Sequence, residues 1–86
     1  QDFRLSGKIL ELYGDYRDKT SPSAVINIRL ILEKNAGPRF EPCLTQTYLQ
    51  TIPMEKIEPA NLARGFGKGL QNIVEALIAD FSKKQR

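Results

Sequence analysis

Residues 59–83, PANLARGFGKGLQNIVEALIADFSK, decide the fold, because here the hydrophobic period changes from two to 3.6. Leu62, Ala63, Phe66, Leu70, Ile73, Val74, Leu77, Ile78 and Phe81 fall within about 160° of a helical wheel turning about 100° per residue. Pro59 suits a first helical turn, where its missing N–H costs nothing, and Glu55 and Glu58 lie near the positive end of the helix dipole. The helix is expected to run to about Lys83, with Lys83 and Lys84 favourable at its negative end.

Everything before Pro59 alternates instead. Asp2 to Tyr13, DFRLSGKILELY, sets Phe3, Leu5 and Ile9 against Arg4 and Lys8, the signature of a half-buried strand. The phase slips at Leu10, Leu12 and Tyr13, which a bulge or cover on both faces accounts for. Gly14 to Ser23, GDYRDKTSPS, is a connecting loop, long for a hairpin and expected to have a mobile tip. Ala24 to Lys34 is the cleanest strand: Ile26, Ile28, Leu30 and Leu32 share one face, Asn27, Arg29 and Glu33 the other, with Val25 and Ile31 interrupting the polar side. Asn35-Ala36-Gly37-Pro38 turns the chain into a third strand, about Arg39 to Ile52. Pro42 marks a strand start, a bulge or an edge. Either Phe40, Leu44 and Tyr48 or Cys43, Thr45 and Leu49 face the core of that strand, and the bulkier set is preferred. Residues 52–60 are a linker. The expected class is α+β: a three-stranded, mainly antiparallel sheet in β-β-β-α order, packed against one long C-terminal amphipathic helix.

Composition narrows the chemistry. The 86 residues are 41% hydrophobic and 27% charged, as in one foldable domain. No apolar stretch approaches the roughly 20 residues of a membrane span, and no leader-like charged-then-apolar segment opens the sequence. There is no histidine and one cysteine, so a Ser-His-Asp or Cys-His arrangement, an internal disulfide and a Cys-rich metal site cannot be assembled from this chain alone. No enzyme activity, metal or cofactor is expected. Thirteen basic against ten acidic side chains give a formal charge of +3. Lys83, Lys84 and Arg86 lie in the last four residues, and without those four the counts are equal. The basicity is therefore a helix-end tail, able to meet an acidic lipid surface, and no nucleic-acid partner is expected. The alternative is a small basic nucleic-acid- or ribosome-associated α+β protein.

Three features invite functional readings. Gly65-Phe66-Gly67-Lys68-Gly69 superficially resembles a phosphate loop, but the glycines lie inside the helical period, where their N–H groups are consumed by the ladder. Gly65, Gly69, Asn72, Ala76 and Ala79 instead form a seam of small residues beside the apolar face. Such a seam either admits the backbone of a partner subunit or a missing part of the domain, or is a solvated flank. Thr45, Thr47 and Thr51 form a polar ladder that either lines a groove or pairing edge, or is a solvent face. Cys43 is expected to be a buried, inert thiol.

The run Asp2-Phe3-Arg4-Leu5-Ser6-Gly7-Lys8-Ile9 followed by Glu11, the strand AVINIRLILE, the strand ending near Tyr48-Leu49 and the helix PANLARGFGKGLQNIVEALIADF resemble the C-terminal half of the ABC-type transport auxiliary lipoproteins. The resemblance covers nearly all of the chain and rests on patterns of hydrophobicity. It implies that residues 1–86 are a single domain forming the C-terminal portion of a larger one. It also implies a periplasmic, outer-membrane-associated lipoprotein beside an ABC transporter and a mammalian-cell-entry-type substrate-binding protein. Such systems move lipids or other hydrophobic compounds between membranes, and the auxiliary component would dock without a reaction of its own. Its expected partners are proteins of the transport complex, further copies of itself in a homo-oligomer, and a membrane reached through a lipid anchor. The family's acylated N-terminal cysteine has no counterpart here, since Cys43 is internal. Leu10, Leu12, Val25 and Ile31, apolar on both strand faces, are expected to be covered by the absent half or by a second copy.

Overall fold

The computed structural model describes residues 2–84, with the side chain of Lys84 left out. Four elements follow in order: β1 (Phe3–Asp15), β2 (Ser23–Asn35), β3 (Phe40–Pro53) and α1 (Pro59–Lys84). The strands form one antiparallel sheet in the order β1-β2-β3, and the helix lies along one face. The α+β class and the β-β-β-α order are those expected from the change of period.

Local chemistry sets the connections. β1 and β2 are longer than the sequence suggested, so their link shrinks to residues 16–22. It is tied by short-range bonds, with Arg17 gripping both carboxylate oxygens of Asp15 at 2.9 and 2.6 Å, and Thr20 Oγ1 donating to Asp18 at 2.7 Å. The side-chain hydrogen bond from Arg17 holds the Asp15 carboxyl below its ordinary value, and that from Thr20 does the same for Asp18. The β2–β3 turn closes with Ala36 N–H donating to Arg39 O at 2.8 Å, while Gly37, at φ 88°, takes the left-handed conformation a side chain would disfavour. Leu62 N–H donates to Glu58 O at the start of α1.

Two bulges sort the faces. Ile9 pairs with Ile28 and Glu11 with Asn27, leaving Leu10 as the extra residue. The slip returns Leu12 to the helix side, opposite Ile26. On β3, Leu44 pairs with Leu32 and Pro42 with Glu33, so Cys43 is the extra residue and Pro42 sits beside a bulge on an edge strand. This second bulge corrects one expectation. Leu44 and Tyr48 are buried beneath the helix, but Phe40 emerges on the far face, where Arg4 lies 4.3 Å above its ring. The Cys43 thiol is half-buried and donates to Leu32 O at 3.3 Å.

The core is Ile26, Leu30, Leu44, Tyr48, Ile73 and Leu77, with Ile28, Leu32, Ala76 and Phe81 packed around it. Of the larger residues on the apolar face of the helix, Leu77 is buried and Phe66 half-buried, but Leu70 is exposed. Val25 is buried on the far face within the chain, flanked by Tyr13 and Thr51, and so does not await outside cover; Leu10 and Leu12 remain exposed and Ile31 half-exposed.

Candidate interaction surface

The helix is off-centre. It packs over β2 and β3, fixed on the β3 side by two polar contacts: Asn72 Nδ2 donates to Gln50 Oε1 at 3.0 Å and Tyr48 Oη donates to Asp80 Oδ2 at 2.7 Å. Burial, with the hydrogen bond adding to it, pushes the Tyr48 phenol up to about 12. Toward β1 the helix makes an edge-on aromatic contact at its far end, where Phe81 meets Phe3 with ring centroids 5.5 Å apart.

Small residues cause this placement. A Cβ on Gly65 would come within 2.6 Å of Ala24 Cβ, and one on Gly69 within 2.7 Å of Ile26 Cγ2. The seam Gly65, Gly69, Asn72 and Ala76 therefore faces the chain's own sheet, and β2 is the backbone it admits. This corrects the reading that the seam waits for a partner subunit. Ala79, one step further round, is exposed, as is Gly67, whose Cβ would meet nothing. The helix begins six residues before Gly65, so the glycines are helical and form no phosphate cradle.

Docking the small seam on β2 turns the bulky part of the apolar face outward. Leu70, Val74 and Phe81 lie about 60–100° from Ile73 on the wheel, on the flank opposite Asn72, with Ile78 at their outer rim. Leu70, Val74 and Ile78 are exposed, Ile78 by 60%. Below that flank is the helix-side row of β1, placed by its pairing with Leu32, Ile28 and Ile26: Leu5, Ile9 and Leu12, all exposed, Ile9 by 56%. One apolar trough results, walled by the helix flank, floored by β1 and closed at one end by Phe3 and Phe81. Covering such half-exposed side chains is worth about 1 kcal/mol each. Exposed apolar surface of this extent makes the trough the candidate interaction surface of the chain.

The other expected sites do not converge on it. Thr45, Thr47 and Thr51 are exposed on the far face, opposite Ile31, Arg29 and Val25, as the solvent side of the sheet. Lys83 is exposed at the helix end; the side chain of Lys84 and all of Arg86 lie outside the described residues. An open cleft of about 370 Å³ at the start of α1 is lined by Ile52, Pro53, Met54, Glu55, Asn61, Arg64 and Gly65, and Arg64 there is engaged by Asn61 at 2.6 Å. Among the described residues no group of three or more acids or cysteines is gathered as for a metal, and no helix is long and apolar enough to cross a membrane.

The trough was hidden from the sequence because its residues carry the same apolar signal as a core. The off-centre helix could have been found only by asking which residues of α1 are small enough to touch β2. Comparison with protein-family models, curated proteins and solved structures gave no match for this chain.

Proposed function

We propose that this chain is a docking module without catalytic activity. It would serve as an auxiliary component of a periplasmic ABC-type transport system that moves lipids or other hydrophobic compounds between membranes. The apolar trough between α1 and β1 carries this reading, because a side-chain row of that length gains most from a protein partner. The resemblance of the strands and helix to the auxiliary lipoproteins supplies the system. An outer-membrane-associated lipoprotein, anchored by a lipid outside this chain, belongs to the same proposal.

The test is co-purification with the system's mammalian-cell-entry-type substrate-binding protein. Ile78→Asp, at an exposed position, should abolish recovery while leaving the circular dichroism spectrum unchanged. Undiminished recovery with that variant would remove the trough from the account.

A further inference from the structure

The two edges of the sheet differ. β3 carries Pro42 and Pro53, which have no N–H to offer a neighbouring strand. β1 carries no proline along its 13 residues. Its inner hydrogen bonds fix which groups face outward. Asn35 N–H donates to Asp2 O at 2.9 Å, so by alternation Phe3, Leu5, Gly7 and Ile9 point their N–H and C=O away from β2. Past the bulge the same holds for Leu12 and Gly14, opposite Ile26 and Ala24.

The far face of β1 is divided by charge. Arg4 and Lys8 occupy its first half, Glu11 and Asp15 its second; Arg4 and Asp15 are already paired within the chain with Glu33 and Arg17, which leaves Lys8 and Glu11 to set the preference. Lys8 also sits directly opposite Arg29 in the register, a like-charge cross-strand pair, and neither has an ion-pair partner among the described residues. An anion arriving from beyond the β1 edge would relieve it. A parallel neighbour of the same sequence would bring cation to cation; an antiparallel one brings anion to cation.

We infer that β1 pairs antiparallel with β1 of a second copy about a two-fold axis at the Leu10 bulge, with Lys8 opposite Glu11 and Arg4 opposite Asp15 of the other copy. This register matches outward-facing groups on both strands. It sets Leu5 against Gly14 and Leu12 against Gly7, so that each leucine on the helix side meets the side chain lying over that glycine, Tyr16 over Gly14 and Leu30 over Gly7. The two sheets become one of six strands, and the two troughs join across the axis. The inference rests on the docking reading and specifies one partner, since the doubled trough is then the surface offered to the transport protein.

Charge reversal tests the register. Sedimentation velocity of the 86-residue chain across a concentration series should show a dimer. Lys8→Glu, which also gives Arg29 an opposite charge within the chain, should weaken dimerisation about tenfold with the circular dichroism spectrum retained. Glu11→Lys should do the same, and Lys8→Glu with Glu11→Lys should restore it. A chain monomeric at every concentration, a dimer indifferent to either reversal, or a double variant no tighter than the single ones would each overturn the inference. A monomer that still recovers the substrate-binding protein through Ile78 would sink this pairing and leave the docking reading standing. A charge-sensitive dimer that recovers nothing would do the reverse.

Discussion

Gly69 of α1 lies directly over Ile26 of β2, so close that a Cβ on the glycine would stand 2.7 Å from Ile26 Cγ2. Gly65 meets Ala24 in the same way four residues earlier. These contacts bring the helix down onto β2 and β3 and rotate its larger apolar residues toward β1. Glycine inside a helix costs about 1 kcal/mol against alanine, and here two of them set the position of the whole element.

The three helical glycines should therefore respond oppositely to alanine. Gly65→Ala and Gly69→Ala each gain helix propensity but drive a methyl group into a packed side chain, for a net loss of about 1–3 kcal/mol. Gly67→Ala meets nothing within 4 Å and should stabilise by about 0.5–1 kcal/mol. Urea denaturation of the three variants checks the pattern; stabilisation of Gly69→Ala would contradict the close helix–sheet contact.

Tyr48 and Asp80 give a pH signature. The folded phenol is raised to about 12 from the ordinary 10.0, so its proton is held more tightly in the folded state. Its contribution to stability is complete below pH 10 and is lost as pH rises from there through about 12. Tyr48→Phe should cost about 1–2 kcal/mol at neutral pH and remove this part of the alkaline sensitivity. Denaturation midpoints measured from pH 8 upward distinguish the two chains; parallel curves would refute the hydrogen-bonded assignment.

Two isoleucines five residues apart on α1 should separate folding from docking. Ile73 is fully buried, and Ile73→Ala should cost about 2–5 kcal/mol by opening a cavity. Ile78 is 60% exposed, and Ile78→Ala should change the stability of the isolated chain by less than about 0.5 kcal/mol. Thermal denaturation of both variants reads the difference, and equal losses would mean that Ile78 is covered within the fold.

Charge predicts a negative result with nucleic acid. Arg4, Arg17 and Arg39 are paired with Glu33, Asp15 and Glu41, and the other cations among the described residues are scattered over β1, β2, the connecting segments and α1. Duplex DNA at low salt should show no retarded band; binding that weakens steeply with added salt would instead support a nucleic-acid-associated protein.

Much of the fold was legible in the sequence because periods of two and 3.6 are written directly in side-chain polarity. Even the slip at Leu10 was visible as a change of phase. The bulge at Cys43 was signalled only through Pro42, as one of three readings, and its effect on Phe40 was not legible, since Phe40, Leu44 and Tyr48 keep an even spacing that reads equally well as one face. The surface was less legible still. Leu5, Ile9, Leu70 and Val74 look like core residues until the lateral position of α1 is known, and that position depends on side-chain volume at Gly65 and Gly69. The seam was found as a pattern but given the wrong neighbour, because spacing identifies a close contact without saying whose backbone makes it.

The most direct measurement of the docking account is site-specific photo-cross-linking in cells that express the transport system. A photoreactive residue would be placed in turn at Ile78, at Leu12 and, on the opposite face, at Thr47. The account predicts adducts with the mammalian-cell-entry-type substrate-binding protein from Ile78 and Leu12 and none from Thr47. Adducts from Thr47 alone, or no adduct with that protein from any of the three, would contradict it.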